Sequence, residues 1–318
     1  MSKWKTLKRV LTDREYRTIR LAKAGFYNYM SDRDYITKQY RVRMGRELNL
    51  ADPQLFSEKL QWLKLHDHNP LYTQLVDKYR VRDYIAQKVG AEYLIPLLGV
   101  WDDPDEIDFD ALPDQFVLKC THNSGTGMCI CRDKSKLDHD RVRENLRKGL
   151  RENFYMRCRE WPYKEVPRKI IAEKFMTPAA DPQGHRGLDD YRFYCFHGEP
   201  RLVYVYQAGT LEHGNKPGIA SCDIFDTAWE HMPFRQKSPN AAVPPAPPAH
   251  LDRMLRLSRK LSEGNPFMRV DFYEIDGRLY IGELTLYPGG GFAGFYPAQW
   301  DQTIGSWLTL PQETGSNM

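Results

Sequence analysis

At 318 residues, with 41% hydrophobic and 13% aromatic content, the chain is long enough for a full core and for two domains. No apolar run is long enough to cross a bilayer, "MSKWKTLKRVL" has no apolar signal segment, and the six cysteines form no CxxC pair, so a membrane span, secretion and a disulfide framework are excluded and a cytoplasmic protein is expected. The net charge of +4 is gathered at one end: residues 1–46 hold 13 Lys/Arg against 4 Asp/Glu, net +9, leaving −5 for the remainder.

That basic head places Trp4, Leu7, Val10 and Leu11 at helical spacing. It reads either as a solvated helix face or as a surface that meets an anionic membrane or draws in an acidic substrate. The next segments are also helical. "DPQLFSEKLQWLKLH" carries an Asp-Pro start signal and a stripe of Phe56, Leu60 and Leu63. "VDKYRVRDYIAQKVG" aligns Val81, Tyr84, Ile85 and Val89 and closes on Gly90. From about residue 93 the texture changes to strand and Pro-punctuated loop. A helix is expected at about 138–153, then strands in "RKIIAEKFM", "YRFYCFHGEPRLVYVYQ" and "FMRVDFYEIDGRLYIGELTLY". "SPNAAVPPAPPAH" is loop, because proline supplies no backbone donor, and it leads into a helix at about 249–263. The expected domains are a mostly helical region over 1–92, an α+β domain over 93–310 with a lid at about 115–175, and a tail over 311–318. Cys129 and Cys131 share one face of a strand, which reads as packing, since no further ligand has metal-site spacing.

Two stretches carry chemistry. In "FVLKCTHNSGTGMCIC" a strand brings Lys119 up to a turn of Asn123, Ser124, Gly125, Thr126 and Gly127. A dinucleotide fingerprint fails because position 130 is Ile and a strand follows; the P-loop and kinase motifs are absent. The remaining reading is a hairpin whose backbone N–H groups cover phosphates, with Lys119 opposing their charge. His122 in this turn reads as a hydrogen-bond donor or, alternatively, as a general base. In "FMRVDFYEIDGRLYIGELTLYPGGG" the Asp276-Gly277 turn pairs two strands and sets Asp271 near Glu283. Two carboxylates share a face only with a cation between them, and hard oxygen donors beside a phosphate turn suggest Mg²⁺. Arg269 lies alongside, suited to charge on a transferring phosphoryl group.

In this order and spacing the chain resembles the ATP-grasp superfamily, the fold of D-alanine–D-alanine ligase, over roughly residues 75–295. The resemblance implies an ATP-grasp fold, two α+β subdomains that sandwich ATP, behind a helical N-terminal region. Lys78 and Lys119 take the positions of the ATP-contacting lysines. "IIAEKFM" looks like the adenine linker, with Glu173 and Phe175 offering main-chain hydrogen bonds and Lys174 between them. Asp190, chosen over Asp181 and Asp189, would bind the ribose, and Arg192 would reach the phosphates. Asp271 and Glu283 would hold Mg²⁺, joined by Thr285 where the superfamily usually has Asn.

"ELTLYPGGG" with "DYRFYCFHGEP" upstream is most similar to a narrower branch, the teichuronopeptide-type amidoligases of capsule and lipopolysaccharide gene clusters. That resemblance implies a ligase that joins a hexuronic acid carboxyl to an amino acid or amine through an acyl phosphate. Lys119, Arg192 and Arg269 would be catalytic, and the N–H groups of Gly289, Gly290 and Gly291 would face the acyl phosphate. The alternatives are a sugar kinase on the same fold, a glycosyltransferase, or a non-catalytic membrane-surface binder resting on the basic head. No nucleic-acid partner is expected.

Overall fold

The computed structural model describes residues 9, 11–181, 187–208 and 219–311. Trp4, Leu7, Val10, residues 182–186 and 209–218 and nearly all of the C-terminal tail lie outside the described residues. Two antiparallel sheets make the frame. One has strand order β1-β4-β2-β3, from Leu97–Trp101 (β1), Phe116–Cys120 (β2), Met128–Cys131 (β3) and Ile170–Lys174 (β4). The other runs β7-β6-β5-β8-β9, from Asp190–Phe196 (β5), Glu199–Ala208 (β6), Ile219–Phe225 (β7), Phe267–Ile275 (β8) and Arg278–Thr285 (β9). The α+β reading therefore holds, with helices at α1 (Arg14–Lys23), α2 (Asp32–Met44), α3 (Phe56–His66), α4 (Leu71–Val76) and α5 (Val81–Lys88) ahead of the first strand. No helix among the described residues is long and apolar enough to cross a membrane.

Each sheet has its own core. The smaller sheet alternates along β2, where Phe116, Leu118 and Cys120 are buried while Val117 and Lys119 are not. The buried side packs with Ile107, Phe109, Val142 and Leu146 under the helix α6 (His139–Arg151), whose apolar stripe covers β2 and β3. The larger core lies between the five-stranded sheet, α3, and the helix α7 (Leu251–Ser262). Phe56, Leu60 and Leu63 of the predicted stripe are all inside it.

The start signal of α3 works differently from its sequence reading. Asp52-Pro53 stands ahead of the helix, whose N-cap position is Leu55. Leucine has no acceptor, so Glu58 reaches back instead: its Oε2 accepts the N–H groups of Gln54 and Leu55, both at 3.1 Å. The basic head is docked rather than loose. Tyr35, Ile36 and Tyr40 of α2 are fully buried, and the Tyr35 hydroxyl donates to the Arg157 carbonyl at 2.8 Å. Arg159, itself buried, donates to the carbonyls of Tyr27, Asn28 and Met30 and lies over the Tyr35 ring at 4.6 Å.

The glycine turn is fastened to α6 by contact of two backbones. A Cβ on Gly127 would stand 2.7 Å from both the Cys120 sulfur and the Gly149 Cα, and its φ of +64° already disfavours a side chain. A Cβ on Gly125, at φ +84°, would meet nothing within 4 Å. Gly127→Ala is therefore expected to cost about 2–4 kcal/mol, overpacking added to backbone strain, and Gly125→Ala about 1 kcal/mol. Chemical denaturation of the two variants side by side checks this. Equal losses would show that φ alone sets the requirement.

Candidate functional site

The two sheets face each other across a cleft of about 360 Å³. On the side of the four-stranded sheet its wall is Val117 and Lys119 of β2, Met128 and Ile130 of β3, and Glu173 with Lys174 of β4. Val117 and Lys119 reach the cleft because strand alternation sends Phe116, Leu118 and Cys120 into the core of the smaller sheet. On the body side stand Asp190 and Arg192 of β5, Tyr206 of β6, Tyr273 of β8 and Gly282 of β9. Phe175 follows directly on the end of β4, also lines the cleft, and carries the Arg132 guanidinium over its ring at 5.2 Å. The Lys174 N–H is already taken by the Pro96 carbonyl at 2.9 Å. One end of the cleft is thus apolar and the other charged, the pattern of a small-molecule site with a few orienting polar groups.

At the charged end Lys119 forms an ion pair with Glu173 (Nζ–Oε2, 2.6 Å), and Arg82 approaches the same carboxylate at 3.5 Å. Lys119 and Glu173 also line a void of about 30 Å³ together with Lys78 and Glu283. Burial draws the Lys78 ammonium down, and the Glu283 carboxylate opposes this. Burial pushes Glu283 up, but Lys78, Arg269, Arg192 and Lys119 together hold it below its ordinary value. Glu283 is therefore ionised in a ring of four cations.

The β8–β9 register sets Asp271 opposite Glu283 and Arg269 opposite Thr285. Asp276 and Gly277 both take positive φ, 49° and 72°, as a two-residue hairpin turn requires. A cation does sit between the two carboxylates, and it is the Arg269 guanidinium. It holds Asp271 through two bonds, Nε–Oδ1 at 2.7 Å and Nη2–Oδ2 at 2.5 Å, and reaches Glu283 at 3.4 Å. Burial pushes the Asp271 carboxyl up and Arg269 pulls it back. The Thr285 hydroxyl is buried with no hydrogen-bond partner among the described residues, as is Oδ1 of Asp190. Among the described residues no cluster of three His, Cys, Asp or Glu could hold a metal ion. Two carboxylates and an unsatisfied hydroxyl are nonetheless the hard donors that Mg²⁺ takes, with waters and phosphate oxygens completing its shell.

Arg192 bonds Asp190 at 2.7 Å, lies 3.7 Å from Asp271, and stacks over the Tyr206 ring at 4.0 Å. Of the three acids weighed for the ribose, Asp190 alone lines the cleft; Asp189 accepts the Ala208 N–H at 3.1 Å.

The predicted turn residues stand beside the cleft without lining it. Asn123 is buried and clips the Gly149 carbonyl at 3.0 Å, while Ser124 and Thr126 are held by Arg157 at 3.2 and 2.8 Å. Lys78 donates to the Asn123 carbonyl and so ties the turn to the charged end. His122 is buried against the Glu152 carbonyl at 3.2 Å, and burial pushes its pKa down to about 4. It is neutral and built into the turn.

Sequence reasoning missed Lys64 and Glu160. Lys64 is 2% exposed and donates to the carbonyls of Cys158 (2.9 Å) and Gly290 (2.7 Å). Glu160 is 8% exposed; burial raises it to about 7, Lys64 opposing and Glu283 reinforcing. The glycine loop after β9 is held by the same helix, since Gln61 donates to the Gly291 carbonyl at 2.7 Å. The one sequence signal was a lysine set between Leu63 and Leu65 on a buried helix.

A family model described as TupA-like ATPgrasp matches residues 58–309. No curated protein matches the chain. Among solved structures, D-alanine–D-alanine ligase from Bacillus anthracis complexed with ATP is 12% identical, covering 72% of this chain and 55% of its own at a TM-score of 0.36. The Helicobacter pylori D-alanine–D-alanine ligase gives 15%, 74%, 61% and 0.37. The D-cycloserine synthetase DcsG gives 14%, 76%, 72% and 0.41. The chain thus spans little more than half the length of the first of these.

Proposed function

This chain belongs to the TupA-like ATP-grasp family, and we propose that it is an ATP-dependent carboxylate–amine ligase. Its substrates are a hexuronic acid of a bacterial surface polysaccharide, or of its precursor, and an amino acid or amine. The observation that carries this reading is the Asp271–Glu283 pair with Arg269 and Thr285, closing the charged end of a cleft between two sheets. Membrane contact through the basic head is part of the same reading, as is the division into a head over 1–92, a catalytic domain over 93–310 and a lid at about 115–175.

ATP, when bound, supplies the γ-phosphoryl group that converts a carboxylate into an acyl phosphate, with Mg²⁺ screening the phosphate charge. The apolar end of the cleft would receive the base, against Val117, Met128 and Ile130, with main-chain hydrogen bonds at Glu173 and Phe175. The open Oδ1 of Asp190 suits a ribose hydroxyl. Lys119, Lys78 and Arg192 oppose phosphate charge, and Asp271, Glu283 and Thr285 would hold the metal. Arg269 is fixed by Asp271 before any substrate arrives, so its charge needs no reorganisation. The net reaction joins carboxylate and amine as an amide while ATP becomes ADP and phosphate. Most of the rate comes from positioning and charge.

The test is ADP release with Mg²⁺-ATP and hexuronic acids and amino acids, singly and paired, with mass analysis of products. ADP that needs both partners, and a product lighter than their sum by one water, supports the ligase. ADP with a sugar alone and a stable phosphorylated product makes it a kinase. Lys119→Met is expected to lower kcat/KM by about 10²–10³-fold, as loss of one preorganised positive group does elsewhere. Wild-type rates in that variant would remove Lys119 from the machinery.

A further inference from the structure

A second cavity, about 770 Å³, opens between the N-terminal helices and the glycine loop. We propose that it is the acceptor site and takes a carboxylate-bearing sugar, gripped by Arg43 at the end of α2. The proposal rests on the ligase reading and adds to it which wall recognises the acid.

The first argument is continuity. Tyr206 lines both cavities, and Gly289, just beyond the Asp271–Glu283 hairpin, lines the second. The Arg192 guanidinium rests on that same Tyr206 ring. A substrate in the second cavity would therefore meet the charged end of the first.

Charge is the second. Arg43 donates to Gln39 at 3.2 Å and lies over the Phe292 ring at 4.7 Å, yet it pairs with no carboxylate among the described residues. The Lys64 ammonium lies over the same ring at 4.6 Å. Two cations on one ring repel; Glu160 and Asp32 offset the charge of Lys64, and of the two cations only Arg43 lines the cavity, where a bound anion would relieve it. Lys237, exposed in the same lining, adds a further positive group; Arg9 there pairs with Asp13, and Glu15 is the remaining acid of the lining besides Asp301. Arg46 is not available for the task, since Asp301 and the Tyr40 hydroxyl already hold it.

The lining also suits a ring. Tyr16, Tyr206, Phe292 and Tyr296 line it, with Arg9, Arg192, Arg43 and Arg235 respectively over their rings, and Tyr296, 58% exposed, offers its other face to a pyranose. Tyr16 and Arg43 lie outside residues 58–309, so this recognition belongs to the head rather than to the shared domain.

Ligand-observed NMR on the full chain with Mg²⁺-ADP present tests this, with D-glucuronate, D-glucuronamide and D-glucose as probes. Saturable binding of glucuronate alone is expected, with its Kd raised about tenfold or more in Arg43→Ala and partly restored in Arg43→Lys. Lys88→Ala, on a distant surface, should leave it unchanged. Glucuronamide binding as well as glucuronate, or Arg43→Ala binding it as wild type does, overturns the assignment. So does an absence of glucuronate binding while Mg²⁺-ADP binds. Failure of wild type to bind Mg²⁺-ADP would instead sink the nucleotide reading on which this one stands.

Discussion

Glu283→Gln is expected to lower ADP formation by about 10²–10³-fold, equivalent to about 2.7–4 kcal/mol of transition-state stabilisation. The substitution keeps volume and shape, so the hairpin and its register should persist. What it removes is the charge that four cations hold ionised and that the metal needs as a ligand. Lys78, Lys119, Arg192 and Arg269 would then stand without their shared counter-ion, so nucleotide phosphates should bind as well as before or better. The informative result is this split: ADP binding retained in a titration, turnover lost. Turnover close to wild type would take Glu283 out of the metal site.

Arg269→Leu should be the most damaging single change to stability. Asp271 is buried and receives both of its strong hydrogen bonds from that one guanidinium. Removing it leaves a buried carboxylate uncompensated, at a cost of about 3–5 kcal/mol. The loss has a pH signature. With Arg269 gone the folded pKa of Asp271 is raised further, so the folded state holds a proton that the unfolded state releases. The penalty is fully present above the raised folded value and disappears below the unfolded value of about 3.9. Denaturant midpoints between pH 4 and 8 should converge on wild type at the acid end. Arg269→Leu combined with Asp271→Leu should recover much of the loss at neutral pH, because it leaves no stranded charge. A loss under about 1 kcal/mol in the single variant would mean that water reaches Asp271.

Much of this was legible because the signals were local. A two-residue Asp-Gly turn starts the β8–β9 register, and counting outward from it brings Glu283 to within one residue of Asp271; an irregularity between Asp271 and Phe272, which skips Gly282, then sets the two carboxylates opposite each other. Lys119 shows itself as a charge in an apolar strand, with alternation deciding which face it takes. The choice of Asp190 over Asp189 came with the family resemblance; in the structure Asp190 lines the cleft and Asp189 accepts the Ala208 N–H. Contacts closed over long separations left no such trace. Lys64 meets Gly290 across 226 residues, and nothing near either position announces the other. Arg269 was placed beside the metal pair, but its role as their present counter-ion depends on side-chain direction, which sequence spacing leaves open. Gly127 was assigned to phosphate approach when its tightest neighbour is Gly149, on a helix that composition showed only as amphipathic.

That backbone contact also limits how the molecule can breathe. With Gly127 seated on Gly149, and Asn123 clipped to the same residue, the turn has no freedom to lift as a separate flap. Any widening of the cleft must carry the whole four-stranded sheet and α6 together as one plate. The give must then come from where that plate joins the rest of the molecule, including the Arg82–Glu173 and Lys78–Asn123 contacts at the charged end. Admission of the nucleotide and release of the latch become a single event.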